Sequence, residues 1–248
     1  MIRIIQLCVL SLSMVWPTQP MANGEDQWTY DGPYGPQNWG LITEDYAACG
    51  TGQQQSPIDL SNPVRTALPS IDFHWRQTDW TVSNTGHGLH VQGDQAGHII
   101  LNNVQYDLFQ FHFHTPSEHT VDGENFPMAA HFVHVSQHDE IAVVAIMLEG
   151  GGRNPEFEAV MAQIPQQTND PNRLQNFDPT NLLPVNRSMF QYQGSLTTPP
   201  CSETVLWSIL VDPVTVSDAA ITTFGIMFGE NTRPVQPLNR RYVLGTAP

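Results

Sequence analysis

Histidine is the residue type whose number and spacing suggest chemistry in this sequence. Five of its ten histidines lie between residues 112 and 134. His112 and His114 are two positions apart, so on a β-strand both imidazoles project from the same face. His131 follows seventeen residues after His114, which is enough chain for a second strand to return antiparallel to the first. The spacing therefore allows three imidazoles to converge on one point.

Three neutral imidazole nitrogens suit zinc, and three protein ligands leave the fourth tetrahedral position open to water. A structural zinc site would usually be closed by four ligands, often cysteines, and no cysteine lies near these histidines. Zinc in an open site makes hydroxide available near neutral pH. The pattern favours catalytic zinc.

A cupin-type metal site is the competing interpretation of the same residues. His112, His114 and Glu118 match part of that motif. The cupin pattern also expects glycine six residues before the first histidine and seven residues after the glutamate, where this chain has Tyr106 and Asn125. The sequence lacks the usual phosphate-loop, serine-hydrolase and zinc-protease motifs, which leaves metal chemistry as the leading class.

Four strands that would position these histidines are predicted from apolar or alternating residues. Along the second strand, phenylalanines at 109, 111 and 113 alternate with polar residues, so all three are expected on the face opposite His112 and His114. Asn102 and Asn103 are expected to form the turn before that strand. The predicted strands are 99–101, 104–113, 129–135 and 141–148.

Two short helices are predicted outside the strands. Asn154 can cap the first helix, Pro155 fits its first turn, and residues 157–164 carry one apolar stripe. Residues 217–224 predict the second, while residues 23–69 are rich in turn residues and are expected to wrap the core. The predicted fold is a sheet-dominated α+β domain with a large central, mostly antiparallel twisted sheet and short peripheral helices.

The N-terminal residues have the features of a secretory signal peptide. Arg3 precedes an apolar stretch that is too short to span a bilayer, and Ala22 is a plausible last residue before cleavage. The expected organisation is a signal peptide at 1–22 and one domain at 23–248, in a secreted or periplasmic protein. A retained N-terminal anchor is the alternative.

The charge balance is strongly acidic, and the sequence contains no lysine. Without Arg3, eight arginines face 24 aspartates and glutamates, giving 8 − 24 = −16 with neutral histidines. Such a surface repels nucleic-acid backbones and anionic lipid, so a nucleic-acid partner is not expected. No membrane span is expected after the signal peptide.

The order of short motifs along the chain resembles the α-class carbonic anhydrases. The signature segments are Gln-Phe-His-Phe-His at 110–114, Ser-Glu-His at 117–119, His-Phe-Val-His at 131–134 and Ser-Leu-Thr-Thr-Pro-Pro at 195–200. The other matching segments are Trp28-x-Tyr30, Gly35-Pro36, Trp39, Gln-Ser-Pro-Ile-Asp at 55–59, Gly86-His87 and Asn-x-Arg-Pro at 231–234. The resemblance extends from residue 28 to 240, and the 115–118 segment resembles exported bacterial members.

This resemblance implies zinc-dependent, reversible hydration of carbon dioxide to bicarbonate and a proton. By position it makes His112, His114 and His131 the zinc ligands. Thr197 would accept a hydrogen bond from the attacking oxygen and donate its own hydrogen to Glu118. The resemblance is also compatible with a homodimer. A non-catalytic carbonic-anhydrase-like binding module is the alternative, although such modules typically lose one or more of the zinc histidines.

Other matched positions surround the expected reaction centre. His87 corresponds to the proton shuttle, since an unperturbed imidazole has a pKa near 6.5. The substrate pocket corresponds to Thr197, Thr198, Val133, Val143, Leu196 and Trp207. The residues behind the ligands and along the water chain correspond to Gln110, His119, Tyr30 and Asn84.

Two cysteines and one alanine complete the sequence-based picture. Removal of residues 1–22 leaves Cys49 and Cys201, which composition alone allows to be either one disulfide or two buried thiols; the resemblance favours the disulfide. Where the family normally has glutamate two residues before the third ligand, this chain has Ala129. Alanine cannot accept the second N–H of His131, so this departure bears directly on the metal site.

Overall fold

One large β-sheet organises the part of the chain that the computed structural model describes, residues 27–168 and 170–247. Twelve strands form this sheet, and β7 and β8 form a separate hairpin. The strands are β1 Val64–Thr66, β2 Asp72–Trp75, β3 Thr78–Asn84, β4 Leu89–Gly93, β5 Gly97–Leu101, β6 Val104–His114, β7 Thr120–Val121, β8 Glu124–Asn125, β9 Met128–Ser136, β10 Ile141–Glu149, β11 Asn172–Phe177, β12 Met189–Gly194, β13 Val205–Thr215 and β14 Leu244–Thr246. The signal peptide expected at 1–22 lies outside the described residues.

The helices are short and lie around the sheet, as expected. The α-helices are α1 Ala48–Thr51, α2 Pro155–Met161 and α3 Asp218–Phe228, and the 3-10 turns are Gly32–Tyr34, Trp39–Leu41, Glu44–Tyr46 and Pro179–Leu182. Asn154 caps α2 by accepting the Phe157 backbone N–H at 3.0 Å, which confirms the predicted start. Among the described helices, none is long and apolar enough to cross a bilayer.

The sheet is mixed, which corrects the expectation of a mostly antiparallel sheet. The main strand order is β1-β14-β12-β13-β10-β9-β6-β4-β3-β11, with β5 joining β2 to β6. β10 and β13 are parallel at the centre, and β1 and β14 are parallel at one edge. Parallel neighbours need a long crossover connection, and residues 150–204 provide it between β10 and β13. The apolar pattern of a strand does not reveal the direction of its partner.

The two faces of the central strands have different roles. On β9, Ala130 and Phe132 belong to the main hydrophobic core, whereas Ala129 lies on the other face, in a second apolar cluster. Helices α2 and α3 cover the main core through Phe157 and Phe224, whose rings lie 5.5 and 6.1 Å from the ring of Phe113. Because α2 and α3 cover the main-core face of the sheet, the opposite face of the central strands is available for a binding site.

A β-bulge in β6 changes which side chains reach each face. The β6–β9 register shifts between Leu108 and Gln110, and the intervening Phe109 is 39% exposed. The expectation that Phe109 joins Phe111 and Phe113 is therefore wrong, because an inserted residue breaks the two-residue alternation. Beyond the bulge, Phe111 and Phe113 are buried in the main core, and the histidines face the other way.

The N-terminal segment does more than wrap the core. Trp39, Ile58 and Leu60 are almost completely buried, and the last two belong to the second apolar cluster. A disulfide joins Cys49 to Cys201, with an S–S distance of 2.08 Å and a sequence separation of 152 residues. This confirms the expected bridge and ties the N-terminal segment to the loop after β12.

Loss of the disulfide should destabilise the protein. The chain-entropy estimate for so long a loop approaches about 5 kcal/mol, so we expect a Cys49→Ala/Cys201→Ala variant to lose roughly 2–5 kcal/mol of unfolding free energy. Urea unfolding of both proteins measures the difference. A reducing agent should weaken the wild type and leave the variant unchanged, and an unaltered wild-type midpoint under full reduction would contradict the expectation.

Candidate metal centre

Strand register brings the three predicted ligands together. His112 on β6 is paired directly with His131 on β9, and His114 follows two residues later on the same face of β6. One ring nitrogen of each histidine lies within 4.8 Å of the corresponding nitrogens of the other two. Among the described residues, this is the one cluster of three or more such groups that could hold a metal ion.

Hydrogen bonds from outside the cluster fix two of the imidazoles. Nδ1 of His112 donates to Gln110 Oε1 at 2.9 Å, and Nδ1 of His114 donates to the Asn231 carbonyl at 2.7 Å. In a neutral imidazole the other nitrogen, Nε2, then carries the free lone pair. The role expected for Gln110 behind His112 is thus matched by geometry, and Asn231 holds His114 in the same way.

Burial disfavours protonation of two of the three histidines. Desolvation, followed by repulsion from neighbouring imidazoles, lowers the pKa of His112 and of His131 well below 6.5. Nε2 of His114 and both ring nitrogens of His131 are buried without a hydrogen-bond partner among the described residues. Buried, unpaired lone pairs on neutral imidazoles are what a divalent metal requires, so the residues fit a metal ion.

A buried carboxylate lies beside the cluster. Glu118 Oε2 is 3.4 Å from His114 Nε2 and 3.8 Å from His131 Nδ1, while Oε1 accepts the Arg233 backbone N–H at 2.9 Å. Burial raises the pKa of Glu118, and electrostatic interaction with nearby His114 and Arg233, together with hydrogen bonds from the Arg233 backbone N–H and the Thr197 hydroxyl, opposes that rise. Glu118 and Thr197 are therefore neighbours, as the motif order implied.

An open cavity of about 250 Å³ leads to the cluster. Its wall contains the three histidines together with most of the expected pocket residues. The lining residues are Trp28, Tyr30, Thr85, His87, Gly88, His90, Gln110, His112, Phe113, His114, His131, Val133, Val143, Leu196, Thr197, Thr198, Trp207 and Asn231.

Known proteins are similar to this chain along almost its whole length. Residues 34–246 match the family model described as eukaryotic-type carbonic anhydrase. The chain belongs to the α-carbonic anhydrase family. It is 37% identical to a carbonic anhydrase of Klebsiella pneumoniae, over 95% of this chain and 96% of that protein. The solved α-carbonic anhydrase of Thermovibrio ammonificans superposes with a TM-score of 0.86 at 39% identity, covering 89% of this chain and all of the other.

The family also includes relatives with a different name. This chain is 34% identical to dioscorin dioA3 of Dioscorea japonica, over 97% of its own length and 93% of the dioscorin. Similarity of this extent therefore fixes the α-carbonic anhydrase family, whereas the chemistry must be argued from the site residues.

His87 lies at the cavity wall against an aromatic residue. Its ring stacks on Trp28, with centroids 3.9 Å apart and planes 14° apart. The side chain is half-buried, and desolvation lowers the pKa of His87 below 6.5. Thr85 accepts the His87 backbone N–H at 3.3 Å and donates to the Gly88 carbonyl at 3.1 Å, so it stabilises the turn that presents His87.

Asn84 does not take the position expected of it. Its side-chain amide donates to the Pro165 carbonyl at 3.3 Å, and its Oδ1 accepts the Gly86 N–H at 2.9 Å. The residue is absent from the cavity wall, where Thr85 lies instead. Asn84 therefore holds the turn that carries His87, because both polar ends of its side chain are used locally. Tyr30 does line the cavity.

His90 is a cavity residue that the sequence argument missed. It pairs with His112 across β4 and β6, and the two rings lie 5.3 Å apart. His90 remains exposed at the cavity wall, where desolvation, followed by the neighbouring imidazoles of His114 and His87, lowers its pKa below 6.5. The available signal was the alternation along β4, where buried Leu89 and Val91 flank His90 and so direct it to the cavity face.

Metal binding at this cluster can be measured directly. We expect the folded chain to bind one divalent metal ion. His131→Ala removes a ligand, so it should lower the metal affinity by more than the 10–100-fold that is typical when a ligand loses its outer hydrogen-bond partner. Equilibrium dialysis with elemental analysis gives both values. His98→Ala removes a histidine outside the cluster and should bind metal like the wild type; equal affinity in the His131 variant would refute the assignment.

Proposed function

We propose that this chain is a zinc enzyme that reversibly hydrates carbon dioxide to bicarbonate and a proton. The observation that carries the proposal is the convergence of three imidazoles, those of His114 and His131 buried, at the wall of an open cavity in a carbonic anhydrase domain. Glu118 and Thr197 are retained beside them. Every family position needed for the chemistry is thus filled, apart from the departure at Ala129.

The ligand atoms follow from the hydrogen bonds around the histidines. Nε2 of His112 and Nε2 of His114 are the lone-pair nitrogens, and Nδ1 of His131 is the nitrogen nearer Glu118. Zinc held by these atoms supplies a Lewis acid that makes hydroxide available near pH 7, an effect for which carbonic anhydrases are the standard example. The protein residues then have to orient the attacking oxygen, hold the substrate and remove a proton.

Orientation of the attacking oxygen is assigned to Thr197. Glu118 Oε2 is buried with no hydrogen-bond partner among the described residues, while Oε1 is held by Arg233. This free carboxylate oxygen can accept the Thr197 hydroxyl hydrogen, which leaves a lone pair on Thr197 facing the cavity. That lone pair accepts a hydrogen from the attacking oxygen and aims its remaining electrons at carbon dioxide, a positioning effect.

The substrate pocket is assigned to an apolar wall next to the histidines. Val133 pairs with Val143, and Val143 pairs with Trp207, so the three side chains lie side by side across β9, β10 and β13. The Trp207 indole N–H donates to the Ser195 carbonyl at 3.0 Å and is therefore unavailable to the substrate. Together with Leu196 and Thr198, this wall suits a small apolar molecule such as carbon dioxide.

Proton removal is assigned to His87. Its position on the cavity wall lets it receive a proton through water and release it to buffer. Because burial lowers its pKa, His87 is neutral at physiological pH and ready to accept. The stacking contact with Trp28 holds one ring orientation near the mouth.

Export is part of the proposal. Residues 1–22 would direct secretion or transfer to the periplasm. The disulfide between Cys49 and Cys201 supports an oxidising compartment, where such bridges form and persist.

A direct rate measurement distinguishes an enzyme from the alternative, a non-catalytic binding module. Similarity to dioscorin is the observation that supports the alternative. We expect stopped-flow carbon dioxide hydration by the zinc-loaded protein, loss of that activity on chelation, and its return with added zinc. His112→Ala should be inactive because only two ligands remain. Zinc-loaded, folded protein that fails to hydrate carbon dioxide would favour the binding module.

The shuttle assignment predicts a buffer-dependent defect. His87→Ala should lower turnover most in dilute buffer, and small imidazole buffers should restore it, because they replace the missing proton acceptor. Exchange between carbon dioxide and bicarbonate at chemical equilibrium should hardly change, since that exchange does not need the shuttle.

His138→Ala is a suitable control, because His138 is exposed outside the cavity. It should behave like the wild type in both measurements. An exchange rate that falls as steeply as turnover in His87→Ala would show that His87 acts in bond formation or in folding instead.

A further inference from the structure

Two buried histidine nitrogens at the metal centre have no hydrogen-bond acceptor among the described residues. His119 and His131 are 0% and 1% exposed. Nδ1 of His119 and Nε2 of His131 have no hydrogen-bond partner among the described residues. Since Nδ1 of His131 is the nitrogen on the ligand side, Nε2 is the one left over. Buried polar groups are rarely left unpaired, so this pair requires an explanation.

Nε2 of His131 is a donor once its Nδ1 binds metal, because a neutral imidazole keeps one proton. Ala129 is two residues earlier on β9 and therefore on the same face. Its neighbours in the second apolar cluster include Val143, Ala145 and Met147, which have no oxygen or nitrogen in their side chains, and the Tyr192 hydroxyl of that cluster is already bonded to His119 and Ser56. Nothing in that group can accept the proton of His131.

Nδ1 of His119 is also a donor in the arrangement that satisfies every member of a nearby chain of hydroxyl groups. The Tyr192 hydroxyl lies 2.8 Å from Ser56 Oγ and 2.6 Å from His119 Nε2. Ser56 Oγ already accepts the Ser195 N–H at 3.0 Å. If Ser56 gives its hydrogen to Tyr192, then Tyr192 gives its own to His119 Nε2, and every member of the chain is satisfied. The remaining proton of His119 is then on Nδ1.

The two donors are too far apart to interact directly, so each needs another acceptor. Their ring centroids are 6.1 Å apart. A ring nitrogen lies about 1.1 Å from its centroid, so the nitrogens are about 3.9 Å apart at the closest, beyond the roughly 3.2 Å limit for a hydrogen bond. An acceptor about 2.9 Å from each nitrogen can span a gap of up to about 5.8 Å. Two donors of this kind also cannot satisfy each other.

We propose that His119 and His131 form an internal binding site for one small hydrogen-bond acceptor, a halide ion or a water molecule, beside the Ala129 methyl group. The occupant accepts both N–H groups and fixes the orientation of His131. His119 is then a positioning residue for the third metal ligand, acting through the occupant. The inference rests on the proposed zinc site, because metal on Nδ1 of His131 is what places the proton on Nε2.

A crystal of the zinc-loaded protein grown in bromide tests the site directly. We expect one density peak within hydrogen-bond distance of both nitrogens. If the peak has an anomalous signal, the occupant is bromide; if it has none, the occupant is water. Either result supports the acceptor site. A zinc-containing crystal with no such peak, or with one bonded to a single nitrogen, overturns it. A chain that binds no zinc instead overturns the proposed function.

Zinc release into excess chelator gives an independent reading in solution. Ala129→Val fills the site with a larger apolar side chain and adds no acceptor. We therefore expect zinc to be released at least about 10-fold faster than from the wild type. This is the range found when a metal ligand loses its outer hydrogen-bond partner, for which carbonic anhydrases are a standard example. Ala130→Val is the matched control, because Ala130 is equally buried on the opposite face of β9. Equal release from both variants would contradict the proposal. If Ala129→Val does not fold, the crystal decides.

The anion dependence of release separates the two occupants. Chloride is replaced by gluconate at constant ionic strength, and Ala129→Glu, which brings its own carboxylate acceptor, is measured alongside the wild type. With a halide occupant, only the wild type releases zinc faster in gluconate. With water, neither protein responds to the anion. An equal response of both proteins would place chloride on the zinc itself and count against a halide at this site.

Discussion

The pairing of β6 with β9 is the constraint on which the rest of the site depends. It sets His112 directly opposite His131 and keeps His114 on the same face. A slip of one residue would turn His131 into the main core and present Phe132 to the cavity, because side chains alternate between faces. The bulge at Phe109 and the burial of Phe111 and Phe113 hold this register in place.

Distant parts of the chain meet around that register through hydrogen bonds. The Arg233 guanidinium donates to the Gln55 side chain and to the Ser56 and Cys49 carbonyls, while its backbone N–H holds Glu118. The disulfide adds Cys201, and with it the loop that carries Thr197. The N-terminal segment, which contributes no ligand, therefore determines where the carboxylate and hydroxyl beside the metal are held.

The apolar second face gives the site both its reactivity and its weakness. Burial lowers the pKa of His112 and of His131 and makes each unpaired buried polar atom costly. In this environment Ala129, where the family normally has glutamate, offers His131 no acceptor and places no negative charge near the three histidines. A zinc ion bound there should consequently be more electrophilic, provided that another acceptor keeps His131 in position.

The sequence alone determined the ligand types, their strand spacing and the motif order, because these depend on local periodicity and residue chemistry. The pairing of Cys49 with Cys201 was implied only by the family resemblance, since the two residues are 152 positions apart. The tertiary structure decided the rest. The mixed sheet, the outward position of Phe109 and the presence of His90 in the cavity depend on strand pairing. The local use of Asn84, and the unpaired nitrogens of His119 and His131, depend on hydrogen-bond partners distant in sequence. A pattern of residue types specifies which atoms can bond, but only the folded chain specifies which atoms meet.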